Sequence, residues 1–207
     1  PGAVASRQRL WAGTTLEQRR AARRAALLDA ALDLLGEHGG AGVTVRSVCR
    51  RAGLTDRYFY ENFAGRDELL SALFLQVAEE LQQAMEATTP AAGSSREEQA
   101  RAAVDALVSV CLDDPRKGRL LLVEPLSDPA LSGVSIGVAP TFTRLVRRQL
   151  PPGASKNESV LTSVALTGAV ATLFFGWLSG TLPVSREELI DKCVRTVLLF
   201  WGERPRG

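Results

Sequence analysis

The residues whose chemistry is most informative are Thr55, Asp56, Arg57 and Tyr58, which follow one another in the first third of the chain. A guanidinium can donate two parallel hydrogen bonds to guanine, a carboxylate can accept one from the cytosine amine, and a tyrosine ring can contact a thymine methyl group. Thr55 is a good N-cap, so the set is predicted to occupy the first turn of a short helix. Asp56 is equally suited to capping that helix or to orienting Arg57. The pattern predicts a helix tip that reads base edges in the major groove of DNA.

Two short helices joined by a tight turn are predicted to position this tip. Thr44 caps the first helix and Gly53 ends it, and Thr55 then opens the second helix. Upstream, Thr15 and Gln18 have the spacing of a capping box, and the longer helix that they start carries leucines at helical spacing until a run of glycines stops it. This order of elements is a helix-turn-helix signature.

The segment from Thr44 to Phe63, continued by Arg66, resembles the DNA-binding region of the TetR family of transcriptional regulators. The resemblance covers about residues 24–70, and Tyr60 and Phe63 fall where the family places its Tyr-x-x-Phe motif. Two positions depart from the commonest form of the family, because Asn62 stands where histidine is frequent and Arg66 where lysine is frequent. Both replacements still donate hydrogen bonds to phosphate.

By this resemblance and by their chemistry, a second set of residues is expected to bind phosphates on either side of the groove. Such contacts fix the register of the protein on the DNA and do not read the base sequence. These residues are Thr44, Arg46, Ser47, Tyr60, Asn62 and Arg66. Phe59 and Phe63 are predicted to point into the three-helix core instead. Residues 1–14 are interpreted as a flexible basic arm, whose Arg7 and Arg9 can follow the DNA backbone or enter a minor groove.

The distribution of charge also favours a polyanion-binding N-terminal part. The first 66 residues contain 11 arginines, no lysine and fewer acidic residues, whereas acidic residues outnumber basic ones in the rest of the chain. A positive head on a negative body is typical of a nucleic-acid-binding module joined to a different functional unit. We therefore predict an arm at 1–14, a helix-turn-helix DNA-binding domain at 15–66, and an effector-binding and dimerisation domain at 67–207.

The C-terminal part shows helical signals and essentially no strand signals, so the predicted fold class is all-α. Helices are expected from about Arg66 to Ala87, from Ser95 to about residue 112, from Leu120 to Leu126 and around Phe142 to Leu150. Irregular backbone is expected between the last two of these, and two further helices are predicted to follow. Ser95 with Glu98 and Ser185 with Glu188 have the spacing of capping boxes, which predict the starts of the second helix and of the final helix.

The stretch from Ser159 to Ser185 contains no charged residue. A membrane span is one interpretation, although the many Ser, Thr and Gly residues lower its hydropathy. The favoured interpretation is a helix buried in its own body and against a second copy, and a third is a helix that fills the core of a monomer. The final helix carries an apolar seam that we predict to join the same four-helix dimer interface. Its residues are Leu189, Ile190, Cys193, Val194, Val197, Leu198 and Trp201.

The resemblance implies a small-molecule pocket in the C-terminal domain, whose occupancy changes the spacing of two DNA-binding heads and weakens operator binding. Apolar residues able to line it are Phe74, Leu107, Cys111, Leu122, Phe142, Phe174 and Trp177. Glu124, Thr143 and Thr172 are candidates for polar contacts, and most of these side chains are equally suited to a plain core. A pocket of this composition predicts a hydrophobic or aromatic effector.

Other classes of protein fit the sequence less well. A single histidine and the lack of a nucleophile motif, a carboxylate pair or metal-ligand spacing argue against an enzyme, so no catalytic residue, metal or cofactor is expected. Three widely spaced cysteines suggest no disulfide framework and fit a reducing cytoplasm. We predict a homodimeric repressor that binds a palindromic double-stranded DNA operator, is released by a small-molecule effector and needs no membrane. The alternative is an orphan or architectural helix-turn-helix protein without an effector.

Overall fold

The computed structural model describes residues 15–88, 93–150 and 155–202, and within them the chain is helical without strands. It divides into two compact units, up to Leu69 and from Leu70 onwards. The predicted arm at 1–14 lies outside the described residues. The α-helices are α1 (Leu16–His38), α2 (Val45–Ala52), α3 (Asp56–Tyr60), α4 (Arg66–Ala87), α5 (Arg96–Cys111), α6 (Pro115–Leu122), α7 (Pro129–Gln149), α8 (Lys156–Leu178) and α9 (Arg186–Phe200). Short 3-10 turns lie at Gly40–Gly42 and Glu124–Leu126.

The N-terminal unit packs α1, α2 and α3 around a small apolar core. The predicted capping box at Thr15 starts α1, because the Thr15 hydroxyl accepts from the Gln18 amide while the Gln18 side chain accepts from the Thr15 amide. Gly53 ends α2 with φ of 65°, a left-handed conformation in which glycine carries no steric penalty. The turn from α2 to α3 can therefore be short, as the helix-turn-helix pattern requires.

The C-terminal unit is a helical body in which α8 and α9 pack on each other, α5 packs on α9, and α7 packs on α8. Capping boxes at Ser95 and Ser185 start α5 and α9, as the sequence predicts. The residues of the α9 seam are buried within the single chain, apart from the half-buried Ile190. The seam thus fills the core of the body, which differs from the interface role expected for it.

Two helices of the body differ from the sequence prediction. α6 begins at Pro115, because Asp114 caps it and proline is well tolerated in the first turn, where its missing N–H leaves no bond unmade. α7 is one continuous helix from Pro129, capped by Asp128, although Gly133, Gly137 and Pro140 suggested irregular backbone. Pro140 lies on an exposed face, so water can satisfy the carbonyl that loses its helical partner.

The contact of α5 with α6 depends on Gly118. A Cβ atom at this position would overlap the backbone oxygen of Cys111 and lie 2.8 Å from a methyl carbon of Leu178. We expect Gly118→Ala to destabilise the protein by about 1–3 kcal/mol through overpacking, measured by chemical unfolding. The matched control is Gly133→Ala in α7, where a Cβ meets nothing within 4 Å. The Gly133→Ala change is expected to stabilise the protein by about 0.5–1 kcal/mol, because alanine is the better helix former. Equal effects at the two sites would contradict the steric overlap expected at Gly118.

Candidate nucleic-acid interface and ligand cavity

One buried ring orients the recognition helix α3. Phe59 is fully buried and lies edge-on to Tyr60 and tilted against Phe63, with ring centroids 5.5 and 5.8 Å away. Its neighbours Arg57, Tyr58 and Tyr60 are exposed, because a helix that buries one residue of a single turn must turn the adjacent ones outward. The helix therefore presents the predicted base-reading residues to solvent.

Arg57 is held by an acidic residue that the sequence analysis did not single out. The Arg57 Nε donates to the Glu61 carboxylate at 3.1 Å, and the Arg57 side chain is 84% exposed. The i,i+4 spacing of the two residues is the sequence signal that could have identified this pair. Because Nε makes the ion-pair contact, the two terminal amino groups of the guanidinium stay available for a bidentate contact with guanine.

Asp56 has a partner at the base of the helix. The Cys49 thiol hydrogen-bonds to Asp56, and burial, followed by this bond, raises the pKa of Cys49 to about 11. Thr55, at the N-cap, makes no side-chain capping bond, so its hydroxyl is available at the exposed start of α3. The geometry thus ties Asp56 to α2 and pairs Arg57 with Glu61, not with Asp56.

The residues expected to contact phosphate fall into two groups. Arg46 and Tyr60 are exposed, whereas Thr44 and Ser47 cap α2 reciprocally and Ser47 also donates to the Gly42 carbonyl at 2.8 Å. Asn62 donates to the Tyr58 carbonyl at 2.8 Å, which closes α3. The side chains of Thr44, Ser47 and Asn62 therefore shape the local backbone.

Arg66 is bound within the N-terminal unit. Its Nε donates to the Val43 carbonyl and one terminal nitrogen to the Gly40 carbonyl, each at 2.8 Å, and the other terminal nitrogen lies 3.2 Å from Asp67. The guanidinium thus fixes the loop between α1 and α2. A role in positioning that loop fits these contacts better than a direct grip on phosphate.

Arginines of α1 hold α3 in place. Arg20 donates to the Glu61 carbonyl at 2.9 Å, and Arg24 donates to the Asn62 carbonyl and lies 4.4 Å over the Phe63 ring. Arg23 lies 4.5 Å over the Tyr58 ring, a cation–π contact. These contacts link residues about 40 positions apart, so the sequence pattern identifies the arginines only as part of the basic charge.

An apolar cavity of about 200 Å³ lies inside the C-terminal unit. Most of the residues predicted for an effector pocket line it, namely Phe74, Leu107, Cys111, Leu122, Phe142 and Phe174. Burial, with a smaller effect of Glu80, raises the pKa of Cys111 to about 12, so its thiol is neutral at physiological pH. The lining within the described residues contains no Asp, Glu, Lys, Arg or His side chain.

Several predicted pocket residues lie elsewhere. Trp177 does not line the cavity, because its indole turns towards the α8–α9 connection and donates to the Val184 carbonyl at 3.2 Å. Glu124 is buried and paired with Arg119 at 3.0 Å. Thr143 and Thr172 bond to carbonyls four residues earlier in their own helices. Trp201, a residue of the α9 seam that was not predicted to line the pocket, does line the cavity.

Residues 27–73 match the family model described as bacterial regulatory proteins, tetR family. This segment is similar to the DNA-binding region of the TetR family. The match spans the C-terminal part of α1, all of α2 and α3, and the start of α4, which together make up most of the described N-terminal unit.

Solved TetR-like structures extend the similarity in fold to the body. A transcriptional regulator from Rhodococcus sp. Rha1 aligns with a TM-score of 0.72 at 18% identity, over 86% of this chain and 96% of the other. FadR from Bacillus subtilis, in complex with stearoyl-CoA, aligns with a TM-score of 0.69 at 16% identity, over 87% of this chain and 99% of the other. No curated protein matches the sequence significantly.

An apolar face of α8 is exposed in the C-terminal unit. Leu161 and Val164 are 70% and 54% exposed, and the small residues Ala165 and Gly168 continue the same face. At the end of α9, Leu199 and Phe200 are also exposed. By length and composition α8 is the one helix of the described residues that could cross a membrane. Its neighbours α7 and α9 pack on its other faces, as in the core of a helical domain.

Proposed function

We propose that this TetR-family protein is a homodimeric transcriptional repressor of the cytoplasm, which binds a palindromic operator and leaves it when an apolar small molecule fills the cavity. The observation that carries the proposal is the outward presentation of Arg57, Tyr58 and Tyr60 around the buried Phe59. A recognition helix of this kind can enter the major groove and place its first residues against base edges.

The dimer and the effector have separate support. The exposed face of α8 formed by Leu161, Val164, Ala165 and Gly168 carries no charged side chain, which favours pairing with the same face of a second copy. The cavity supplies an apolar site for a ligand, and FadR from Bacillus subtilis, whose fold is similar, was solved with stearoyl-CoA. A ligand lowers operator affinity if it binds more tightly to the conformation that cannot hold DNA.

The test is selection from random double-stranded DNA by the purified protein, at near-physiological salt so that nonspecific electrostatic binding is suppressed. The expected result is enrichment of a palindrome with two equivalent half-sites, which reflects the two-fold symmetry of a dimer. Enrichment of a single, unrepeated site would contradict operator binding as a dimer. No enrichment at all would leave only a nonspecific DNA-binding protein.

We expect Arg57→Ala to relax the preference at one base pair of each half-site by about 1–3 kcal/mol, because the mutation removes a bidentate contact with guanine. Competition binding against operators substituted at each position measures this. The matched control is Arg46→Ala, an exposed arginine of α2 that is expected to contact phosphate. The control should weaken all sequences similarly and reduce the salt dependence. An equal loss on every sequence for Arg57→Ala would refute its role in base reading.

A further inference from the structure

The carboxylate of Glu61, at the end of α3, is shared between two arginines. One of its oxygens accepts from the Arg57 Nε at 3.1 Å, and the other lies 3.8 Å from a terminal nitrogen of Arg23 in α1. The Arg23 guanidinium also lies over the Tyr58 ring, which limits its own freedom. The Glu61 carboxylate is therefore turned towards Arg57 on one side and held towards α1 on the other.

The backbone of Glu61 is fixed by bonds that do not involve its side chain. Its amide donates to the Arg57 carbonyl at 3.0 Å, and its carbonyl accepts from Arg20 of α1 at 2.9 Å. Arg57 itself is an exposed side chain with many rotamers, and Glu61 is the residue that gives its guanidinium a direction. A base-reading group whose direction is set before binding loses less entropy when the complex forms.

A carboxylate in this position is unfavourable for affinity. α3 is the helix proposed to enter the groove, and Glu61 adds to its exposed surface a charge of the same sign as the phosphates. An exposed ion pair at i,i+4 spacing stabilises a fold only weakly. This small gain does not offset the repulsion of phosphate, so the geometry favours a role of Glu61 in recognition over one in folding.

The role in recognition follows from what an unpaired arginine does near DNA. Its guanidinium can donate to any phosphate, and that contact is equally strong on every sequence. Pairing at Nε holds Arg57 away from this alternative and leaves its two terminal nitrogens for guanine. On a wrong base pair, Arg57 then loses its contact with guanine and gains no phosphate contact in its place.

We propose that Glu61 is a specificity-determining residue, which lowers affinity for DNA of any sequence and sharpens the choice that Arg57 makes at one base pair of each half-site. Glu61 acts through Arg57 and is a positioning residue, with no contact of its own to a base. This inference deepens the proposed function and rests on it, since it requires α3 to read sequence.

Selection from random double-stranded DNA, run in parallel on the full chain and on its Glu61→Gln variant, tests the proposal. Glutamine keeps the size of the side chain and removes its charge. The base pair that Arg57→Ala identifies is expected to become about three- to tenfold less selective in Glu61→Gln, because Arg57 is no longer held for guanine. A motif that is equally sharp in the two proteins would overturn the proposal.

Binding to a duplex without the palindrome gives a second readout, with the opposite sign from a structural defect. Affinity of Glu61→Gln for this duplex is expected to rise about two- to fivefold, because a charge that repels phosphate is removed. The slope of log affinity against log salt should steepen by about 0.9 for each subunit bound, as Arg57 neutralises one more phosphate. Weaker binding with an unchanged slope would show a structural role and overturn the proposal.

The matched control is Glu37→Gln. Glu37 also belongs to an ion pair of the N-terminal unit, because its carboxylate accepts from Arg51 at 2.8 and 2.6 Å, but neither residue is a predicted base reader. The control should select the same motif as the unaltered protein. In the double variant, Glu61→Gln should change no base preference beyond that of Arg57→Ala, since it acts through that side chain. A further change would overturn the positioning role.

Failure of this inference can be told apart from failure of the proposed function. The same sharp palindrome from the unaltered protein and from Glu61→Gln would overturn the role of Glu61 while supporting operator binding. No enriched sequence from the unaltered protein would overturn operator binding and, with it, the role of Glu61. A single, unrepeated site would contradict binding as a dimer, and the comparison at that site would still decide the role of Glu61.

Discussion

Replacing Phe59 by alanine is expected to destabilise the N-terminal unit by about 3–5 kcal/mol, the usual range for removing a buried phenylalanine. Phe59 has no exposed surface, and it is the one buried residue of a helix that has only five residues. A helix of that length does not persist without tertiary packing. We expect operator binding to be lost together with the fold of this unit.

Denaturant unfolding followed by circular dichroism measures the loss of stability, and fluorescence anisotropy with labelled operator measures DNA binding. The matched control is Tyr60→Phe, which removes one exposed hydroxyl from the next residue of the same helix. The control should change stability by no more than about 0.5 kcal/mol and weaken all DNA sequences similarly. Normal operator affinity in Phe59→Ala would show that α3 does not depend on this anchor.

The double substitution Leu161→Glu with Val164→Glu is expected to dissociate the proposed dimer and to lower operator affinity about 10²- to 10⁴-fold. Both side chains are exposed on α8, so glutamate adds little strain to the single chain. In a two-fold interface each new charge lies near its own copy, and the four carboxylates repel one another. A monomer binds one half-site and loses the advantage of a second, linked contact.

Sedimentation velocity reports the change in mass, and the same anisotropy assay reports operator affinity. The control is Leu126→Glu, where the leucine is 73% exposed in a 3-10 turn that packs on α6 and α7. This control should remain dimeric. A double variant that is still dimeric would place the interface elsewhere, and a native protein that requires detergent for solubility would favour the membrane interpretation of α8.

The parts of the fold that the sequence predicted correctly depend on local rules. The capping boxes at Thr15, Ser95 and Ser185 mark helix starts because each involves residues only three apart. The helix-turn-helix was also predictable, because Gly53 ends its first helix and Thr55 starts the second helix two residues later. α7 was predicted wrongly in its first half, because glycine and proline were read as breakers although packing against α8 outweighs their poor helix propensity.

The candidate site was less predictable than the fold. The apolar composition of the cavity follows from the apolar residues of the body. The sequence pattern nevertheless indicated Trp177 as a lining residue where the structure has Trp201, because the lining depends on how α8 and α9 are rotated in the packed unit. Likewise, the side chains of Asn62 and Arg66 carry donors suited to phosphate, but nearby backbone carbonyls engage both of them. Contacts between residues distant in sequence decide these outcomes, and spacing along one helix does not encode them.

The way α3 is anchored separates stability from recognition. One inward ring and the arginines of α1 secure the helix, while Arg57, Tyr58 and Tyr60 are exposed and make only surface contacts, with Glu61, Arg23 and Phe59 respectively. Exposed positions of this kind usually tolerate exchange with little change in the free energy of unfolding. After gene duplication, substitutions at these three positions can therefore change the DNA target, and each variant along the way still folds. The five-residue helix is in this sense an evolvable surface mounted on a buried support.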